Sequence, residues 1–92
     1  MNNFSLPHVE NWHLPVIEGN LCLQGTVTNH PKIKDGLDVC TFPVVRLDVD
    51  NKLCITDKYT YTLGEPNSDF LEFLKEHDRE LRDFSLGPPI IN

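Results

Sequence analysis

The residues best suited to chemistry lie in one short stretch from His30 to Gly36, which reads HPKIKDG. Histidine is the usual general acid or base near neutral pH, and Asp35 could orient its ring across the loop. A hydrolytic enzyme that uses His30 is therefore one hypothesis. The competing interpretation is structural, because an Asp-Gly pair is typical of a turn. We favour the structural interpretation, since the sequence contains no nucleophile elbow, P-loop or H-E-x-x-H motif.

The same loop carries positive charge. Lys32 and Lys34 alternate along it, and Arg46 follows in the next strand pattern. Such cations bind phosphate through charge-assisted hydrogen bonds. A second hypothesis is therefore a small-ligand binder that sequesters a nucleotide-like, anionic signal here. Its ligand-binding residues would be His30, Lys32, Lys34, Asp35 and Arg46. Lysines that merely keep the surface soluble are the simpler alternative.

Three aromatic residues could serve either binding or packing. Tyr59 and Tyr61 alternate along a strand pattern, so their rings share one face. They could stack on a base or pack against a neighbouring strand. Trp12 is either a core residue or an exposed anchor for a partner, and we expect it in the core.

Metal and disulfide chemistry are not expected. The four histidines form no H-x-x-x-H spacing, and none pairs with a cysteine at a zinc-binding distance in sequence. The three cysteines, Cys22, Cys40 and Cys54, contain no C-x-x-C pair. We expect them to be reduced, with no metal and no cofactor, as in a reducing compartment. With no signal peptide and no apolar run of about 20 residues, a cytoplasmic location is predicted.

Charge divides the sequence into two unequal halves. The net charge is −6, and residues 47–92 carry ten acidic and five basic residues. A protein that binds duplex DNA normally has the opposite sign, because it must neutralise phosphates. An acidic surface suits a partner protein with a basic surface. The candidate partner-binding residues lie on a predicted helix: Glu72, Glu76, Glu80 and Asp83.

Short strand patterns followed by one helical pattern predict the architecture. The 92 residues form one domain. We expect an irregular apolar strap at 1–20, an antiparallel sheet at 21–64, a helix at 67–84 and a tail at 85–92. The fold class is therefore α+β, a curled antiparallel sheet or half-barrel of four to six short strands with one C-terminal helix.

Three runs carry a resemblance: GTVTNHPKIKDG at 25–36, VCTFPVV at 39–45 and YTLGEP at 61–66. Together they resemble a family of small uncharacterised proteins of bacteria and their prophages, although Phe42 stands where a serine would be usual. The size, acidity and lack of a catalytic motif are also similar to phage-encoded inhibitors of bacterial defence, such as anti-CRISPR proteins. The first family brings no established activity, whereas the likeness to phage-encoded inhibitors implies a non-catalytic binding protein that inhibits a host defence factor. No membrane contact is expected, because the sequence has no apolar run long enough to span a bilayer.

Overall fold

The computed structural model describes residues 6–41 and 43–80, so Phe42 and the predicted tail at 85–92 lie outside the described residues. A six-stranded sheet, a two-stranded hairpin and one helix make up the described fold, which confirms the predicted α+β class. The elements are β1 (His8–His13), β2 (Val16–Ile17), β3 (Asn20–Leu21), β4 (Gln24–Thr28), β5 (Asp38–Cys40), β6 (Val44–Asp48), β7 (Leu53–Thr56), β8 (Thr60–Leu63) and α1 (Ser68–Glu76). No helix among these residues is long and apolar enough to cross a bilayer.

The N-terminal segment is part of the sheet. The strand order is β5-β4-β1-β8-β7-β6, which places β1 between β4 and β8. The prediction of an irregular strap at 1–20 is therefore wrong for His8–His13. Pro7 and Pro15 flank this strand and do not interrupt its hydrogen bonds. The pairing of β1 with β8 is parallel, so the sheet is mixed and not purely antiparallel as predicted.

The short link around Pro43 forces the sheet to curl. It joins β5 to β6, which form the two opposite edges of the sheet. Only four residue steps separate Cys40 from Val44, so their Cα atoms lie at most about 14 Å apart. The edges of a flat six-stranded sheet would be about 24 Å apart. The predicted curl is confirmed, and the chain passes from β5 to β6 at Pro43.

A bulge in β1 turns Trp12 into the core. The β1–β4 register shifts between Glu10 and His13, and Asn11 adopts a positive φ of 53°. Strict alternation would place Val9 and Asn11 on the same face. The extra residue instead directs Val9 and Trp12 inward, and Trp12 is only 2% exposed. The expectation that Trp12 is a core residue is confirmed.

The inner face of the curled sheet carries the core. Alternate residues of each strand point inward and pack together. The partly buried Ile33 of the loop packs against this core. The most deeply buried members are Val9, Trp12, Leu23, Val27, Leu47 and Cys54.

Helix α1 is shorter than predicted. Asn67 caps its start by accepting hydrogen bonds from the backbone N–H groups of Asp69 and Phe70, at 2.8 and 3.2 Å. At the other end Asp78 adopts a positive φ of 55°, and the Arg79 N–H donates to the Leu74 carbonyl at 2.8 Å. This Schellman arrangement ends the helix at Glu76. The prediction of a helix over 67–84 is therefore wrong for residues 77–80, whereas residues 81–84 lie outside the described part.

Candidate functional site

His30 is half-buried, and its ring packs against two tyrosines of the sheet. Its ring lies against Tyr59 and Tyr61, with ring centroids 4.4 and 6.0 Å away. The Lys32 N–H donates to His30 Nδ1 at 3.0 Å, so the ring proton of a neutral His30 is on Nε2. The Tyr61 hydroxyl lies 3.4 Å from that Nε2 and accepts from it. Burial lowers the pKa of His30, which favours this neutral form.

The predicted pairing of His30 with Asp35 is not formed. The Asp35 carboxylate accepts a hydrogen bond from the Asn29 N–H at 2.8 Å. Gly36 completes the turn with a φ of 92°, as the Asp-Gly pair predicts. Asp35 therefore shapes the loop, and the described contacts of His30 are with Lys32 and the two tyrosines.

The predicted cations are divided between two sides of the sheet. Lys32 and Lys34 lie on the exposed loop. Arg46 pairs with Ile55 on β7, whereas Tyr61 pairs with the adjacent residue Cys54. Because successive side chains of a strand face opposite sides, Arg46 and Tyr61 lie on different faces of the sheet. The structure does not bring the five predicted ligand-binding residues together into one site.

The pKa of His30 leads to a prediction for stability. Because the pKa is lowered by folding, the folded state favours the neutral ring, and this contribution to stability is complete above the ordinary value of 6.5. It is lost as pH falls through the lowered pKa. When pH is lowered from 6.5 to 4.5, we expect the urea midpoint to fall less in His30→Gln than in the wild type. Equal losses in both proteins would contradict this assignment.

The outer side of α1 forms an acidic ridge, which we define as Asp69, Glu72 and Glu76. With 3.6 residues per turn, these three side chains fall within about 60° of one another and opposite the buried Leu74. Phe73 lies beside the ridge and is 50% exposed. Of the other predicted partner-binding residues, Glu80 is exposed after the helix, and Asp83 lies outside the described residues.

A cavity of about 310 Å³ lies on the other flank of α1, beneath Leu71. The apolar residues Trp12 and Leu63 and the charged residues Lys52 and Glu65 line this cavity. This volume is at the lower end of the range for ligand sites, about 300–1,000 Å³. The remaining lining residues are Val49, Gly64 and Pro66.

A hydrogen-bonded network on the outer face of the sheet was not predicted. His8 Nδ1 lies 2.7 Å from the Thr62 hydroxyl, and His8 Nε2 lies 2.7 Å from Glu10 Oε2. The Glu65 N–H donates to Glu10 Oε1 at 2.8 Å. The hydrogen bond from His8, followed by that from Glu65, lowers the pKa of Glu10. The sequence signal was the spacing of His8 and Glu10, two residues apart. Once residues 8–13 are recognised as a strand, this spacing places both side chains on the same face.

The three cysteines are free thiols, and two of them are buried. Cys22, Cys40 and Cys54 are free, and only Cys40 is exposed. Burial raises the pKa of the Cys54 thiol to about 12, which keeps it protonated and unreactive. Within residues 6–41 and 43–80, no three histidine, cysteine or acidic side chains are arranged to hold a metal ion.

Comparison with protein-family models, with curated proteins and with solved structures found no match to this chain. The function is therefore inferred from the geometry of these surfaces.

Proposed function

We propose that this is a binding protein whose acidic ridge docks on a basic surface of another protein. The observation that carries the proposal is the position of Phe73, a large apolar side chain that is 50% exposed next to Asp69, Glu72 and Glu76. The ring of His77 packs against Phe73 on the other side, with centroids 4.3 Å apart. An aromatic anchor with charged residues at its edge is typical of an interface centre and its polar rim. The partner would offer an apolar recess for Phe73 and lysines or arginines for the carboxylates.

The packing of α1 supports this use of the helix. Leu74 alone among its residues is fully buried, and Phe70 packs against Trp12 with ring centroids 6.1 Å apart. These contacts hold the helix while its opposite side remains open to solvent. Asp69 lies in the first turn of α1, where a negative charge interacts favourably with the positive end of the helix dipole.

The loop is less suited to the alternative function, a binder of a nucleotide-like anion. His30 is neutral and its Nδ1 already accepts from the Lys32 N–H, so it cannot serve as a cationic donor without breaking that contact. Lys32 and Lys34 remain, but Arg46 faces the other side of the sheet from the tyrosines. Two exposed lysines alone form a weak anion site.

The class of partner follows from the charge. Proteins that hold nucleic acid present basic surfaces, and an acidic protein that covers such a surface competes with the nucleic acid. We therefore propose inhibition by occupation of a host factor's basic surface, in the manner of a phage-type accessory protein directed against bacterial defence. If the partner is a host factor of this kind, the protein meets it in the cytoplasm, and we therefore propose a cytoplasmic location.

A capture experiment tests the proposal. Wild-type protein and the variant Glu72→Lys/Glu76→Lys are immobilised, and bacterial lysate is passed over each at low and at high ionic strength. We expect the wild type to retain a protein that the variant loses, with the largest difference at low ionic strength, because attraction between exposed charges is screened by salt.

The matched control is Glu18→Lys/Asp57→Lys, which makes the same change in net charge at two exposed residues away from α1. We expect this control to retain the same protein. Equal loss from both variants would show that only net charge matters and would contradict a site on the ridge. Loss from Lys32→Ala/Lys34→Ala, with the ridge variant unaffected, would favour the loop instead.

A further inference from the structure

The network around His8 has a defined direction of proton donation. A carboxylate can only accept, so Glu10 Oε2, at 2.7 Å, fixes the proton of neutral His8 on Nε2. His8 Nδ1 then carries a lone pair, and the Thr62 hydroxyl at 2.7 Å donates to it. The other acceptor near this hydroxyl, the Pro7 carbonyl, is more distant at 3.5 Å. Thr62, His8 and Glu10 thus stand as hydroxyl, base and orienting carboxylate.

The fold holds each member in place. The parallel register of β1 and β8 puts His8 directly beside Thr62, and alternation puts Glu10 on the same face as His8. The Glu10 carboxylate occupies the space beside Gly64 that a Cβ atom would take, so a side chain at this position would displace the carboxylate. The Glu65 N–H anchors its second oxygen.

We propose that the Thr62 hydroxyl is a covalent modification site that accepts an acyl group from an uncharged, activated ester or thioester. His8 Nδ1 takes the hydroxyl proton as Thr62 Oγ1 attacks the carbonyl carbon. The bond to the leaving oxygen or sulfur then breaks, and His8 returns the proton to the leaving group. The products are O-acyl threonine and a free alcohol or thiol.

Charge and access favour this class of donor. The carboxylate of Glu10 and the neighbouring acidic Glu65 repel an anionic phosphoryl donor, and the nearby cation Lys52 offsets only part of this negative charge. An uncharged ester meets no such barrier. The side chains of His8 and Glu10 are 35% and 49% exposed, so a small ester can reach them. The site lies on β1 and β8 and does not involve α1, so the inference does not depend on the proposed binding function.

The test uses 4-nitrophenyl acetate as the acyl donor and intact-protein mass spectrometry with peptide mapping. We expect one acetyl group on Thr62 of the wild type, removable by hydroxylamine because it is an ester. Thr62→Val should lose it, whereas Thr60→Val, which changes a similar threonine of the same strand, should keep it.

Glu10→Gln provides a second variant at an exposed position. In Glu10 the two hydrogen bonds go to different oxygens, Oε2 for His8 and Oε1 for the Glu65 N–H. Glutamine replaces one of these oxygens by an NH2 donor. If that donor faces His8 Nε2, the ring proton moves to Nδ1 and the base that Thr62 needs is lost. We expect the rate of Thr62 acetylation to fall by about 10² or more. Acetylation that maps only to lysines or to the N-terminus, or a rate unchanged in Glu10→Gln, would overturn the proposal.

Discussion

Replacing Trp12 by alanine is expected to destabilise the protein by about 3–5 kcal/mol, the usual cost for a buried aromatic residue. Trp12 is 2% exposed and packs against Phe70 of the helix. Its indole N–H also donates to the Gly64 carbonyl at 2.9 Å, so alanine leaves that acceptor without its donor. Because small domains have a total stability of about 5–15 kcal/mol, this variant should be close to unfolded.

Urea denaturation followed by circular dichroism measures the effect. The control is Val16→Ala, which truncates an apolar residue that is 67% exposed in the β2–β3 hairpin. Its free energy of unfolding should change by no more than about 0.5 kcal/mol. A Trp12→Ala variant as stable as Val16→Ala would show that the indole does not hold the sheet and the helix together.

Gly25→Ala is expected to have the second largest effect. A Cβ atom at Gly25 would lie 2.6 Å from Val9 Cγ1, 2.7 Å from the Glu10 carbonyl oxygen and 3.0 Å from Trp12 Cα. Two of these are backbone atoms of the bulged strand, which cannot move without altering the bulge. Overpacking of a core costs about 1–3 kcal/mol, and more where backbone must shift. The alanine should also turn Trp12 away from its buried position.

Two measurements follow the Gly25→Ala variant: its urea midpoint and the fluorescence of Trp12, the single tryptophan of the chain. We expect a lower midpoint and emission typical of a more exposed indole. Thr26→Ala, a neighbouring change on the outer face of β4, should alter neither. A midpoint and emission spectrum equal to those of the wild type would contradict the close approach of β4 to the bulge.

The parts of the fold that depend on local pattern were predictable. Alternation identified the strands from residue 21 onward, Asp35–Gly36 identified the turn, and Asn67 identified the start of α1. Pro43 lacks a backbone donor for the sheet, which agrees with its position between β5 and β6. In each of these cases a short run of residue types determines the backbone by itself.

The errors have a common physical cause, which is that tertiary contacts decided the local structure. The bulge at Asn11 hides the alternation of β1, so the strand resembles an irregular segment. Asp78 ends the helix in a left-handed conformation where glycine or asparagine would be the usual signal. The His8–Thr62 contact joins residues 54 positions apart through a parallel pairing that no local pattern indicates.

In the candidate sites too, local pattern predicted some features and tertiary contacts determined the others. Sequence periodicity predicted an acidic side of the helix with Glu72, Glu76, Glu80 and Asp83. Because the helix ends at Glu76, only Glu72 and Glu76 of that set lie on it, and the structure adds Asp69. The loop residues His30 and Asp35 were correctly placed in one turn, but their side chains bind to different partners. Hydrogen-bond direction depends on neighbours in space, so the sequence could not decide between a reactive and a structural histidine.

The association rate of the protein with the partner captured through α1 tests the central claim most directly. The rate constant is measured for purified wild type and for Glu72→Lys/Glu76→Lys across a series of salt concentrations. We expect the wild-type rate to fall steeply as ionic strength rises, and the variant to associate slowly at every salt concentration. A wild-type rate that does not change with salt, or a variant that associates as fast as the wild type at low salt, would contradict docking of the acidic ridge on a basic surface.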